Sequence, residues 1–119
     1  MKNLATKRFV ENEEIPWEIM ANGIKRKIMA YDEQLMLVKI QFEKGGIGAV
    51  HNHLHTQISY VETGVFEVQI NGEIKILYMG DAFYVPPHAD HGVVCLESGI
   101  LIDAFSPMRK DFIKIDGQS

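Results

Sequence analysis

All five histidines of the chain lie in two short stretches. His51, His53 and His55 follow one another at intervals of two residues, and His88 and His91 form the second group. In a strand, residues two apart project to the same side, so His51 and His53 can meet one metal ion with their imidazole nitrogens. Histidines on a solvated strand show the same spacing, so this pair alone leaves a metal site and an exposed strand as alternatives.

A second candidate group lies near the C-terminus. Asp103 interrupts an apolar run and, by the two-residue period of a strand, shares a face with Leu101 and Phe105. A carboxylate on an apolar face is costly unless it is paired or used. One interpretation is a structural ion pair between Asp103 and Arg109. The other places both in a binding site, where Asp103 transfers protons and Arg109 grips a carboxylate through two hydrogen bonds.

The elements that must position these residues are short β-strands cut by glycine turns. Strands are predicted over residues 24–31, 35–42, 66–70, 73–78, 82–85, 93–96 and 100–102. Asn71-Gly72 predicts a type I′ hairpin, and residues 97–99 separate the last two runs. The only helical turn that we expect covers residues 108–112. Many short strands of this kind indicate an all-β sandwich or barrel.

Length and composition narrow the class of protein. A chain of 119 residues has room for one domain, and we expect residues 1–119 to form it, with an extended N-terminal arm over about 1–20. A formal net charge of -4 argues against a partner that is nucleic acid. The single cysteine, Cys95, has no internal partner, and the sequence contains neither an export signal nor an apolar membrane span. These features predict a cytoplasmic protein with no membrane partner.

The histidine stretches resemble the two motifs of the cupin family. Gly45-x5-His51-x-His53-x3-Gln57-x6-Gly64 is similar to the first motif, and Gly80-x5-Pro86-x-His88-x2-His91 to the second. The sequence departs from the motifs at Gln57, where Glu is usual, at His88, where Gly is usual, and at Cys95, where Asn is usual. The resemblance implies a single-domain cupin, a double-stranded β-helix or jelly-roll barrel. It also implies one divalent metal ion held by His51, His53, Gln57 and His91, with nickel, zinc, manganese and iron left open.

Gln57 bears on the chemistry of this expected metal site. A neutral amide leaves the ion more positive than a carboxylate would, which favours Lewis-acid catalysis on an anionic substrate over redox chemistry. We expect His55 to lie at the rim of the pocket or behind the ligands, and His88 to be exposed in a turn.

The whole chain resembles the KdgF family of pectin-degradation cupins. The similarity is carried by the His51-x-His53-x-His55-x-Gln57 segment with Tyr60-Val61, by Phe105-Ser106-Pro107-Met108-Arg109-x-Asp111-Phe112, and by segments of the N-terminal half around Pro16-Trp17-Glu18 and residues 23–29. It implies an enzyme that opens 4,5-unsaturated uronates, released from pectin or alginate, to linear keto acids. The family's catalytic positions correspond to Asp103 as the proton-transfer group, Arg109 as the carboxylate anchor and Phe105 as an apolar wall.

Two other functions stay open at this stage. One is a metal-dependent dioxygenase, which would consume oxygen, and the other is a non-catalytic sugar-binding cupin.

We further expect a homodimer, in which the segment from Thr6 to Met20 is long enough to cover a partner's edge strand.

Overall fold

A computed structural model describes residues 4–113. These residues form eight strands and two short 3-10 turns. The strands are β1 (Glu18–Ala21), β2 (Ile24–Tyr31), β3 (Met36–Phe42), β4 (Ile47–His51), β5 (Thr56–Ile70), β6 (Glu73–Leu77), β7 (Ala82–Val85) and β8 (His91–Ser106). The 3-10 turns are Asn12–Glu14 and Lys110–Phe112, the second within the predicted helical turn.

The strands pair antiparallel throughout the described residues and curl around a common interior. Their order is β1-β2-β3-β8-β5-β6, with β4 also paired to β8 and β7 to β5. Alternate side chains face inward and build a core that includes Phe42, Phe66 and Leu101. A second apolar cluster, around Met36, Phe105 and Met108, closes one end. The all-β expectation is confirmed.

Two long strands, β5 and β8, run along each other through most of their length and supply much of the site. The predicted break at residues 97–99 was wrong, because β8 continues through it. Gly64 and Gly99 explain the continuity. A Cβ added to Gly64 would lie 2.6 Å from the Glu97 carbonyl oxygen, and one added to Gly99 would lie 2.1 Å from that of Thr63. Only glycines let the two backbones pass this closely, so the pair bends with shifts in register instead of ending.

The predicted hairpin at Asn71-Gly72 is confirmed. Both residues have positive φ, 49° and 84°, as a type I′ turn requires, and β5 pairs with β6 across it. The turn lies beside the second histidine group, because Ile70 pairs with His91 and the Asn71 amide donates a hydrogen bond to the Asp90 carbonyl oxygen at 2.7 Å.

The N-terminal segment packs against its own chain. The Thr6 amide donates a hydrogen bond to the Tyr31 carbonyl oxygen at 3.0 Å. The Lys27 ammonium donates to the backbone carbonyl of Asn12 at 2.8 Å. The last part of the expected arm, Glu18–Ala21, is the strand β1. Among residues 4–113, no helix has the length and apolar character needed to cross a membrane.

Candidate metal centre and active site

Three histidines converge at one end of the barrel. His51 is the last residue of β4 and pairs in register with His91, the first residue of β8. His53 lies in the loop that follows β4. One nitrogen from each of the three rings lies within 4.8 Å of the others. The exposed-strand alternative is therefore wrong, because His53 is outside β4 and the loop brings it back toward His91.

Backbone carbonyls fix the orientation of all three rings. The Nδ1 atoms of His51, His53 and His91 lie 2.8, 3.1 and 2.9 Å from the carbonyl oxygens of Ala49, His55 and Ala89. A carbonyl only accepts, so each Nδ1 carries the proton and each Nε2 keeps a free lone pair. Metal-ligating histidines are oriented in this way.

The environment of two of the rings, His53 and His91, favours their neutral form. Burial lowers the pKa of His91 and of His53, and the Arg109 guanidinium adds to the effect in both. The Nε2 atom of His91 is buried and has no hydrogen-bond partner within residues 4–113. A buried acceptor without a partner is costly, and a cation at this point would satisfy it.

Gln57 places its amide oxygen beside the same point. The side chain is buried at the start of β5, and its Oε1 lies 3.0 Å from Nε2 of His53. Two ligands at right angles on one ion, each about 2.1 Å from it, are separated by roughly 3.0 Å. The predicted set of His51, His53, Gln57 and His91 is therefore brought together, and its donors suit a divalent transition metal.

A hydrogen-bonded chain sets the orientation of the Gln57 amide. The Gln57 Nε2 group donates to Oγ of Ser59 at 2.9 Å, and the Ser59 hydroxyl donates to Oδ1 of Asp103 at 2.6 Å. Since the carboxylate only accepts, the direction of the chain turns Oε1 of Gln57 toward the histidines. Antiparallel pairing of β5 with β8 produces this arrangement, because Ser59 lies opposite Asp103 in the register.

Asp103 is a buried carboxyl group, as the two-residue period predicted. It is 4% exposed, and Leu101 and Phe105 on the same face are equally enclosed. Burial raises the pKa of Asp103 from 3.8 to about 6, while the Ser59 hydrogen bond and the Arg109 charge act in the opposite direction. A carboxyl group with such a pKa can both accept and release a proton near neutral pH.

The alternative of a structural Asp103–Arg109 ion pair is wrong. Among residues 4–113 the ion-pair partner of Arg109 is Asp111, whose carboxylate accepts from Nε at 3.0 Å and from Nη2 at 2.8 Å. The Arg109 guanidinium carbon also lies 4.3 Å from the ring centre of Phe112. These contacts place a largely buried cation in the lining of the site, and within residues 4–113 its Nη1 makes no hydrogen bond.

A cavity of about 410 Å³ joins these groups. Its lining includes His51, Gln57, His91, Asp103, Phe105 and Arg109. The volume lies within the ~300–1,000 Å³ range of small-molecule sites. The Phe105 ring, 3% exposed, contributes an apolar wall and lies 5.8 Å from the His53 ring, centre to centre.

The remaining two histidines take supporting positions. The backbone carbonyl of His55 holds His53, whereas the His55 side chain lies outside the group of converging nitrogens. His88 is exposed, as expected, and its amide donates to the His53 carbonyl oxygen at 2.7 Å. Its φ of 67° is the left-handed conformation that the glycine of the usual motif adopts readily.

Sequence reasoning missed two residues of this site, one behind the cavity wall and one that lines the cavity. Ser59 connects Gln57 to Asp103, and the period-2 pattern from Gln57 would have placed it on the inner face of β5. Arg26 of β2 also lines the cavity and is only 9% exposed. Lys25 and Lys27 flank Arg26, so the charge pattern gave no sign of which residue faces inward.

Comparison with known proteins agrees with this geometry. The model of the Cupin domain family matches residues 38–102, more than half of the chain. The pectin degradation protein KdgF of Dickeya dadantii is 50% identical over 109 residues, which are 90% of this chain and 99% of that protein. The chain belongs to the KdgF family of cupins.

Solved structures support membership of this family. The structure of KdgF from Halomonas sp. is 44% identical and superposes with a TM-score of 0.87, covering 91% of this chain and 100% of that one. An RmlC-like cupin from Shewanella frigidimarina is 49% identical with a TM-score of 0.89, covering 92% and 98% of the two chains. The cupin barrel and the KdgF resemblance expected from the sequence are confirmed.

Proposed function

We propose that this protein is a metal-dependent enzyme that opens 4,5-unsaturated uronates, derived from pectin or alginate, to linear keto acids. The observation that carries the proposal is the position of the buried Asp103 carboxyl group. It lies in one cavity with His51 and His91, two of the three converging histidines, in a chain 50% identical to a pectin degradation protein.

A divalent ion fits the residues present. His51, His53 and His91 offer unprotonated Nε2 atoms and Gln57 offers its amide oxygen, while the orphaned Nε2 of His91 lacks any other partner in the described residues. When bound, the ion supplies Lewis-acid stabilisation of the negative charge that develops on the substrate's oxygens.

Asp103 is proposed to move the proton that the reaction needs. The ring oxygen of the substrate is attached to an alkene carbon, C5, and the hemiacetal carbon is C1. Ionised Asp103 accepts the C1 hydroxyl proton as the bond from C1 to the ring oxygen breaks, which leaves an aldehyde at C1 and an enolate at C5. Protonated Asp103 then returns the same proton to C4, and the enolate becomes a ketone. The atoms balance as an isomerisation, and a pKa near 6 suits both directions of transfer.

Arg109 and Phe105 are proposed to position the substrate. The Nη1 group of Arg109 is free to donate to an anionic oxygen, because Asp111 holds the Nε and Nη2 atoms. Phe105 offers an apolar face against which the sugar ring lies, and its burial excludes water from that side.

The test of this function is to follow the alkene absorbance of 4,5-unsaturated galacturonate and to identify the product by proton NMR. We expect faster loss than in buffer alone and a linear keto acid as the product. No acceleration would overturn the proposal, and oxygen uptake with the iron- or manganese-loaded protein would favour the dioxygenase alternative instead.

We also propose that the whole chain is one cupin domain and that it forms a homodimer in the cytoplasm. An exposed apolar patch supports pairing. Ile58 of β5 lies between Tyr84 of β7 and Ala104 of β8 in the register, and Leu37 of β3 lies opposite Ala104. The side chains of Ile58, Tyr84, Leu37 and the nearby Tyr60 are each 39–56% exposed. Patches of this kind on soluble proteins mark interaction surfaces. Sedimentation should give twice the 13.5 kDa chain mass, and a monomer mass would contradict the dimer.

A further inference from the structure

Arg26 is a buried cation in the cavity that the mechanism above does not use. It lies in β2, in register with Glu18 of β1 and Ile40 of β3, on the face that lines the cavity with His91 and Asp103. The residue is 9% exposed. Burying a guanidinium in the interior of a barrel is costly unless its donors are satisfied.

The donors of Arg26 are incompletely satisfied. Its Nη2 lies 3.5 Å from Oε2 of Glu18, beyond the usual 2.7–3.2 Å, and the Glu18 side chain is 46% exposed. Its Nε is buried and has no hydrogen-bond partner among residues 4–113. The guanidinium carbon lies 4.0 Å from the ring centre of Phe112, a cation–π contact that holds the group in place. The guanidinium group of Arg26 is thus held in place without a strong anionic partner among residues 4–113.

The guanidinium donors of Arg109, by contrast, have a close anionic partner. Both guanidinium groups contact Phe112, at 4.0 Å for Arg26 and 4.3 Å for Arg109, so they are neighbours at the cavity wall. In Arg109, however, the Nε–Nη2 edge is filled by the Asp111 carboxylate. Arg109 keeps its Nη1–Nη2 edge but is already partly neutralised by the Asp111 carboxylate, whereas Arg26 has no carboxylate within the usual hydrogen-bond distance among residues 4–113, so an anion that enters the cavity meets less competition at Arg26.

We propose that Arg26 is a substrate-binding residue that holds the carboxylate of the uronate through its guanidinium group. The inference rests on the proposed function for the identity of the substrate. The weak contact to Glu18 gives way, because the exposed Glu18 carboxylate can turn into solvent. Arg26 then distinguishes uronates from neutral sugars of the same size, whose hydroxymethyl group carries no charge and offers one oxygen instead of two.

The test is calorimetric titration of D-galacturonate and of neutral D-galactose into the protein as purified. Arg26→Met keeps the apolar stem of the side chain but removes the guanidinium group and its charge. We expect it to weaken galacturonate binding about 10- to 100-fold, the effect of losing charge-assisted hydrogen bonds, and to leave galactose unchanged. Lys75→Gln, an exposed site on β6, is the control for the loss of one positive charge.

Wild-type affinity for galacturonate in Arg26→Met would overturn the proposal. Should that variant fail to fold by circular dichroism, Glu18→Gln decides the question, because removing the competing carboxylate should tighten galacturonate binding. Unchanged affinity in Glu18→Gln would then refute the role of Arg26. Arg26-dependent binding of galacturonate by a protein that leaves unsaturated uronate intact would support Arg26 and overturn the proposed reaction, so the two failures are distinguishable.

Discussion

Replacing Asp103 with asparagine tests whether its carboxyl group is there for proton transfer. The side chain is 4% exposed, and burial raises its pKa to about 6 from 3.8. This difference corresponds to about 3 kcal/mol by which the folded protein favours the protonated form. Asparagine has the same shape without the charge, and its oxygen can still accept the Ser59 hydrogen bond, so the cost of burying a carboxylate disappears.

The sign of the stability effect follows from the raised pKa. The stability that proton binding to Asp103 provides is complete below 3.8 and is lost as the pH rises through about 6. At neutral pH, and with the metal ion removed from both proteins by a chelator, the Asp103→Asn variant should melt at or above the temperature of the wild type. At ~4 °C per kcal/mol, the upper limit of the increase is about 12 °C. The difference should shrink toward pH 3.8, and circular dichroism melts over this range would measure it.

The catalytic activity of the Asp103→Asn variant should fall, although its stability at neutral pH should not. With metal content unchanged by elemental analysis, turnover of unsaturated galacturonate should fall by roughly 10²–10⁴, the usual contribution of a general acid–base group. Glu73→Gln, at an exposed site on β6, is the matched control for the loss of one carboxylate. Wild-type turnover in Asp103→Asn, or a clear loss of stability at neutral pH, would refute the reasoning.

Four further outcomes are expected. The His51→Ala/His53→Ala double variant should lose its ion in elemental analysis, and full occupancy would disprove the ligand set. Gln57→Glu should bind the ion more tightly but turn over more slowly, because a carboxylate cancels part of its charge; weaker binding at neutral pH would contradict this. Ser59→Ala should lower metal affinity about 10- to 100-fold, as loss of a group that orients a ligand commonly does, and an unchanged dissociation constant would show that the hydrogen-bonded chain is unimportant. Turnover should decline as the pH falls through the pKa of Asp103, about 6 without an ion and lower beside one, because only the ionised carboxylate accepts a proton; a midpoint well above 6 in the pH profile would exclude Asp103 as the base.

The metal ligands could be named from the sequence because their spacing reflects local geometry. His51 ends a strand, His53 follows in a tight loop, and His91 opens the strand that pairs with the first, so the motif alone implies that they meet. The inward position of Asp103 could also be predicted from the sequence, since the alternation of a strand determines which side chains share a face. The continuity of β8 was missed because Ser98-Gly99 has the composition of a turn, and only the close approach of Gly64 explains why the strand continues.

The polar partners could not be predicted in the same way. Ser59 and Asp103 are 44 residues apart and meet only through the register of β5 against β8. Arg109 takes Asp111 as its partner because the chain turns just before the 3-10 segment, a geometry that spacing does not specify. In β2, Arg26 and Lys27 are both buried, on opposite faces, since the N-terminal segment covers Lys27. Alternation therefore gave no unique inner face there.

The most direct test of the central claim is the initial rate at which 4,5-unsaturated galacturonate loses its alkene absorbance. It should be measured with the protein as purified, after chelation, and after the divalent ion is restored. The metal–Asp103 site predicts a rate above the uncatalysed reaction, a return close to that background on chelation, and recovery when the ion is added back. A rate no faster than buffer in the ion-loaded protein, or an undiminished rate after complete removal of the ion, would contradict it.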